Sequence, residues 1–216
     1  MKQKRGPTYK DGIKRVQVGC GPHNLLPDWW NVDVRKFSGI DEVCDVTQAW
    51  PWKDLEYVFG EHFIEHLPLD QALRFLENAG MSLRSDGTLR LSTPNLEWVL
   101  RTHFLHGQVE EQRRVLDTIK MNRAFHGWGH HFLYTKEILA FVLTEMGFAN
   151  VTFHSYGESA NLELCHLERH GGFQVYDGQP SVVIVEARRG PRPITIPASL
   201  MAFLHEHFLR YVASGH

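Results

Sequence analysis

The chain has 216 residues, 43% of them hydrophobic and 22% charged, which suits one α/β domain with a sizeable buried core. A net charge of −2 argues against a general basic nucleic-acid surface, and no segment approaches the ~18 apolar residues of a membrane span. Cys20, Cys44 and Cys165 form no C-x-x-C pair and are odd in number, and no apolar run follows the basic start at Lys2, Lys4, Arg5 and Lys10; a reducing cytoplasmic setting without a secretory leader is expected.

Residues 14–18 alternate as a first strand and run into Gly19-Cys20-Gly21-Pro22. A second short strand, 30–34, carries Asp33 at its end, and a third, 41–46, carries Asp45. The fourth, 55–59, is β-branched and aromatic and is closed by Gly60-Glu61-His62. Leu69, Ala72, Leu73 and Leu76 then recur at helical spacing up to Gly80. Asp86-Gly87 reads as a turn into a fifth strand over 88–92, cut off by Pro94.

Residues 95–134 break the alternation with two predicted helices, 96–105 and 109–123, followed by His126-Gly127-Trp128-Gly129-His130-His131. Thr135 caps a further helix whose buried stripe is Ile138, Leu139, Val142, Leu143 and Met146, with Gly147 at its end. Strands over 151–154 and 181–186 follow, and 199–212 is an amphipathic helix. The pattern predicts a single domain over 1–216, built on a doubly wound, seven-stranded, mostly parallel sheet, with 95–134 as a helical lid insertion.

In such a sheet, ligands settle beyond the carboxyl ends of the strands, near the point where strand order reverses. The first strand is followed there by Gly19, Cys20 and Gly21, whose missing side chains let a ligand approach the backbone. Asp33 stands where a carboxylate accepts ribose hydroxyls, and Asp45, Gly60, Glu61 and His62 follow the next two strands. Together these groups suit a nucleoside carrying an amino-acid tail.

Here the sequence resembles the class I S-adenosylmethionine (SAM)-dependent methyltransferases. RVQVGCG (15–21) is similar to their first motif, Asp33 to their ribose-binding acid, Asp45 in CDVTQ to their third-strand acid, and YVFGEHFIEHL (57–67) to their fourth strand and the helix after it. Within the class, the GCG opening through NVD (19–33) and the HGW…FLY segment (126–134) resemble a bacterial group of small SAM-dependent methyltransferases. The resemblance implies a Rossmann-like methyltransferase fold, SAM as cofactor, and a hydroxyl or amine of a saccharide or secondary metabolite as acceptor. Gln17 replaces the usual leading acid, His23 the third glycine, and PHNLLPDWW leaves little room for a first crossover helix.

Methyl transfer from a sulfonium chiefly needs in-line positioning, and a hydroxyl acceptor also needs a base. His126, His130, His131 and Tyr134 of the insertion are the catalytic candidates, with Trp128 as a pocket wall and His62 as a rival base. His62-Phe63-Ile64-Glu65-His66 also spells H-x-x-E-H, which on one helix would make a zinc peptidase, and His126, His130 and His131 have a spacing that could seat a divalent ion. No metal is assigned, because the strand-end series explains the same residues without one. Intramolecular cyclisation of SAM, releasing methylthioadenosine, is the other SAM-using alternative. The expected partner is a small-molecule substrate, with neither nucleic acid nor membrane. Helix 199–212 either covers a sheet edge or forms a homodimer.

Overall fold

The computed structural model describes residues 12–105, 107, 109–170 and 172–213; the basic start lies outside the described residues. Strands β1 (Arg15–Val18), β2 (Trp30–Asp33), β3 (Glu42–Val43), β4 (Leu55–Glu61), β5 (Leu83–Pro94) and β6 (Phe148–His154) precede a small ribbon, β7 (Val175–Tyr176) and β8 (Gln179–Pro180), and then β9 (Val182–Arg189). Apart from the ribbon they form one seven-stranded sheet in the order β3-β2-β1-β4-β5-β9-β6. β1 to β5 are mutually parallel, while β9 runs against both β5 and β6.

Alternation along the strands sorts side chains onto two unlike faces. Val16, Val18, Val58, Leu89, Leu91 and Val185 belong to the main core. Three helices carry the matching apolar stripes: α1 (Leu69–Ser82), α4 (Lys136–Met146) and α5 (Ala198–Leu204). The boundary signals of α4 act as expected. Thr135 Oγ1 accepts from the Ile138 amide at 3.5 Å, and Gly147 closes the helix at φ 104°.

Among the described residues the opposite face carries no such α-helix; only residues 19–29 join β1 to β2, and a 3-10 turn at Leu162–Leu164 is the helical piece packed there. Loop and irregular chain pack there instead, with Leu26, Trp29, Leu164 and Leu167 against Phe59 and Tyr57. Backbone buried without a helix needs partners for its amides. Gln17 and Asn31 supply them from the sheet. Gln17 donates to the Asn24 carbonyl (2.9 Å) and accepts from the Leu26 amide (3.0 Å). Asn31 accepts from the same amide (2.9 Å) and donates to the Leu26 and Trp29 carbonyls (3.1 and 2.8 Å). Gln17 and Asn31 thus satisfy the backbone of this short link, where a crossover helix would satisfy its own.

Further along this face Arg90 is fully buried. It donates to both oxygens of Glu168 (2.8 and 2.9 Å), to Glu186, and to the Glu158 carbonyl (3.1 Å). This network fastens residues 155–170 to β5 and β9.

Most elements shift by a few residues at an end, and three differ more from the expectation. β3 has two residues rather than six, as Asp45 turns back to bind Thr47. β5 starts at Leu83, paired with Leu55, and absorbs Asp86-Gly87 beside a register shift. The C-terminal helix splits into α5, a π-helical turn (His205–Leu209) and α6 (Arg210–Ala213). Leu200 and Leu204 of that segment are buried in the main core, whereas Phe203 and Val212 stay exposed. Among the described residues no helix is long and apolar enough to cross a membrane.

Candidate functional site

A cleft of about 670 Å³ opens at the carboxyl ends of β1 and β4, where the strand order turns in opposite directions. Gly19, Cys20, Gly21, Glu61 and His62 line it from the sheet side. Helices α2 (Leu96–His103) and α3 (Glu111–His126) contribute Trp98, Val99, His103 and Arg123, followed by Trp128, His130 and Leu133. Tyr156, His170, Gly172 and Phe173 complete it from the chain that covers the helix-free face.

Both glycines of the first turn have left-handed backbone, with φ 61° at Gly19 and 58° at Gly21. They differ in surroundings. A Cβ on Gly19 would lie 2.3 Å from the Phe63 ring, so this glycine serves packing. A Cβ on Gly21 would meet nothing within 4 Å, and the backbone there borders open cleft. The Gly21 amide donates to Asp33 Oδ2 at 3.1 Å, which ties the turn to the end of β2. The other oxygen of Asp33 accepts from the Arg35 amide (2.9 Å) and Nε (3.3 Å), and the 70%-exposed Arg35 side chain lines the cleft. Burial, reinforced by the Asp33 charge, pushes the Cys20 thiol up to about 12.

At the end of β4, Glu61 accepts the Arg169 amide (2.9 and 3.1 Å) and the His170 amide (2.8 Å). Burial raises its carboxyl above the ordinary range, with those amides and His62 opposing. His62 follows at φ 44°, a strained value for a non-glycine residue, and its amide donates to the Ser92 carbonyl at 2.9 Å. Its ring stacks on His170, with centroids 4.0 Å apart. Burial first, then the neighbouring His62, hold His170 below the usual imidazole range.

The H-x-x-E-H run does not lie on an α-helix. His62 is at the strand exit, and Ile64–His66 form a single 3-10 turn, so the two histidines do not share a helical face. Glu65 is fully buried; its Oε2 accepts from Thr93 Oγ1 at 3.0 Å, and its carbonyl accepts the His131 and Phe132 amides (2.7 and 3.3 Å). Its Oε1 accepts no aligned hydrogen bond, although His62 Nδ1 lies 3.2 Å and His66 Nε2 3.9 Å away. His66 Nδ1 is 3.3 Å from the Gly129 carbonyl, and His130 Nδ1 is 2.8 Å from the Ala124 carbonyl.

Of the residues singled out by sequence, Gly19, Cys20, Gly21, Glu61, His62, His66, Trp128 and His130 line the cleft, with Asp33 directly behind Gly21. Gly60 is inside β4 beneath Val18, Leu91 and Phe63. Asp45 is exposed and caps the Thr47 amide and hydroxyl (3.0 and 2.7 Å); these bonds, the hydroxyl first, hold its carboxyl below the usual range. It does not line the cleft, nor do the exposed His126 and His131. Tyr134 lies in the main core, its hydroxyl without a partner and its ionisation pushed upward by burial.

Sequence reasoning did not single out Asn24, Arg35, His103, Arg123, Tyr156, His170 or Phe173 for the site. Arg35 follows the second strand by two residues and was legible on that ground. The 155–173 stretch carries neither period to reveal it. Beside the cleft, Trp98, His103 and Arg123 also border a recess of about 440 Å³ that adds Lys120. Burial, then Arg123 and Lys120, lower the His103 pKa.

No protein-family model matches the chain, and no curated protein does. Among solved structures it is similar to a SAM-dependent methyltransferase from Archaeoglobus fulgidus (18% identity, TM-score 0.48, covering 84% of this chain and 88% of that one). It is also similar to magnesium protoporphyrin IX methyltransferase from Synechocystis PCC 6803 with bound S-adenosylhomocysteine (SAH) (14%, TM-score 0.46, 83% and 75%). A third is an N-methyltransferase from Bradyrhizobium japonicum WM9 in complex with SAH (14%, TM-score 0.45, 83% and 79%). At such identities and scores the likeness concerns the general course of the chain and says nothing of its chemistry.

Proposed function

We propose that this chain is a SAM-dependent methyltransferase acting on a small-molecule acceptor. The observation that carries the reading is the bare Gly21 backbone at the switch point, tied to the β2 carboxylate and bordering the cleft. The motif resemblance at 15–21 and the E-H-L after β4 supports it further. In this reading Gly19–Gly21 and His62 would hold the amino-acid end of SAM, and Asp33, behind Gly21, would serve its ribose.

SAM supplies an electrophilic methyl on a good leaving group, so the chain's task is alignment, worth up to ~7–11 kcal/mol in ideal cases. The acceptor then sits beneath the 95–134 insertion, which acts as its lid. Trp98, Val99, Leu133 and Phe173 offer apolar walls that exclude water, and their small span favours a metabolite hydroxyl or amine over a polymer. His130 Nδ1 lies against the Ala124 carbonyl, which holds the ring at the wall of the cleft on the acceptor side. A reducing cytoplasm is the proposed setting; no disulfide joins Cys20, Cys44 and Cys165.

Isothermal titration calorimetry of the full chain with SAM and with SAH tests the reading. Binding of both is expected, and incubation with SAM and an acceptor panel should release SAH. Folded protein that takes up neither ligand overturns it, and release of methylthioadenosine replaces methyl transfer with cyclisation.

A further inference from the structure

We infer that Glu65, His66 and His130 form a binding site for one divalent transition-metal ion, bordering the cleft on its acceptor side. One potential ligand atom from each residue lies within 4.8 Å of the others. Proximity alone would be weak support, but three features point the same way.

Glu65 is the first. It is wholly buried, and its Oε1 has no aligned donor. An ionised oxygen taken out of water in this condition is costly unless a cation compensates it.

The second is the tautomer of both imidazoles. His66 Nδ1 faces the Gly129 carbonyl at 3.3 Å and His130 Nδ1 faces the Ala124 carbonyl at 2.8 Å. A carbonyl can only accept, so in the neutral form of each ring Nδ1 carries the proton and Nε2 keeps the lone pair. Backbone carbonyls orient metal-binding histidines in this way.

The third is a distance. His66 Nε2 stands 3.9 Å from Glu65 Oε1, too far for a hydrogen bond. An ion at ~2.0–2.2 Å from each ligand would bridge that gap. The two rings are already in edge contact, with centroids 5.1 Å apart.

Two imidazoles and one carboxylate suit a borderline ion such as Zn²⁺, Fe²⁺ or Co²⁺ better than Mg²⁺ or Ca²⁺. Three protein ligands leave coordination positions open to the cleft for water or an acceptor oxygen. His62 Nδ1 lies 3.2 Å from Glu65 Oε1 without being aligned to donate, and it is outside the set of three. This arrangement is unlike an H-x-x-E-H peptidase, because His130 arrives from the insertion and His62 is not a ligand. His126 and His131 take no part.

The site stands independently of SAM, and its test does too. The full chain, stripped with chelator, is titrated with Co²⁺ and followed by visible ligand-field absorption and calorimetry, with elemental analysis of the protein as purified. One Co²⁺ per chain is expected. Glu65→Gln, His66→Ala and His130→Ala should each weaken binding by at least ~100-fold, the upper range seen when only a supporting residue is lost. His126→Ala and His131→Ala should leave it unchanged. Circular dichroism checks folding; should the Glu65 variant unfold, the two histidine variants decide. Absence of stoichiometric Co²⁺ uptake, or equal losses from His126→Ala and His66→Ala, overturns the site. SAH calorimetry on the same metal-free sample reports separately on the cofactor reading.

Discussion

Replacing Arg90 by methionine should strip the helix-free face of its main fastening. The guanidinium is fully buried and its partners Glu168 and Glu186 are nearly so. Methionine keeps much of the volume but leaves two carboxylates without their cation, and the Glu158 carbonyl without a donor. Breaking a buried pair in this way costs about 3–5 kcal/mol, since the remaining charge is desolvated and uncompensated. Domain stabilities are roughly 5–15 kcal/mol, so a large share is removed. For a chain of this size the loss corresponds to roughly 6–20 °C in Tm. At an m-value of ~3 kcal/mol/M it lowers the urea midpoint by about 1–1.7 M.

Urea unfolding followed by circular dichroism measures the effect. The triple variant Arg90→Met/Glu168→Gln/Glu186→Gln, which removes the charges together, should recover at least half of the loss. A single variant within about 1 kcal/mol of the parent, or a triple variant no better than the single, would refute the attribution to uncompensated charge. Since Glu168 lies two residues before His170, the single variant should also weaken SAH binding through the loosened wall.

Other substitutions probe the glycine turn, the helix-free face and the buried thiol. Gly19→Ala must displace the Phe63 ring and should destabilise by about 1–3 kcal/mol, read by thermal melting. Gly21→Ala meets no neighbour and should remain folded at a backbone cost of about 1–2 kcal/mol, yet lose SAH affinity in calorimetry. Unaltered affinity there would separate the glycine turn from the ligand. Asn31→Leu leaves the Leu26 and Trp29 backbone groups short of partners and should cost about 2–4 kcal/mol in urea unfolding. Cys20, with its thiol pushed up to about 12, is roughly a thousandfold less ionised at pH 8 than a thiol of ordinary pKa. In mass-spectrometric labelling with iodoacetamide it should therefore react last of the three cysteines, and rapid native labelling at Cys20 would contradict its burial.

The β1, β2 and β4 strands, the α1 and α4 helices and the glycine turn were legible because each rests on local chemistry. Hydrophobic alternation marks β1 and β4, a stripe at helical spacing marks α1, and Thr135 with Gly147 bounds α4. The site was only partly legible. Of the four residues proposed for catalysis from the insertion, His130 reaches the cleft, while Tyr134 turns into the core and His126 and His131 face outward. Adjacent histidines look equivalent in a string, and their directions depend on where α3 ends. The Glu65 carbonyl, which accepts the His131 and Phe132 amides, then sets the course of residues 130–132.

What the sequence by itself determined is the sheet: short-range alternation, caps and breakers specify which segments extend and which coil. What only the tertiary structure decided is the cover of the helix-free face and the far wall of the cleft. Residues 155–170 show no period, since their order comes from Glu61, Arg90, Glu168 and Glu186, whose partners lie far away along the chain. Buried charges hold that segment where hydrophobic periodicity would otherwise have done so, and charge pairing leaves no repeating mark in the sequence.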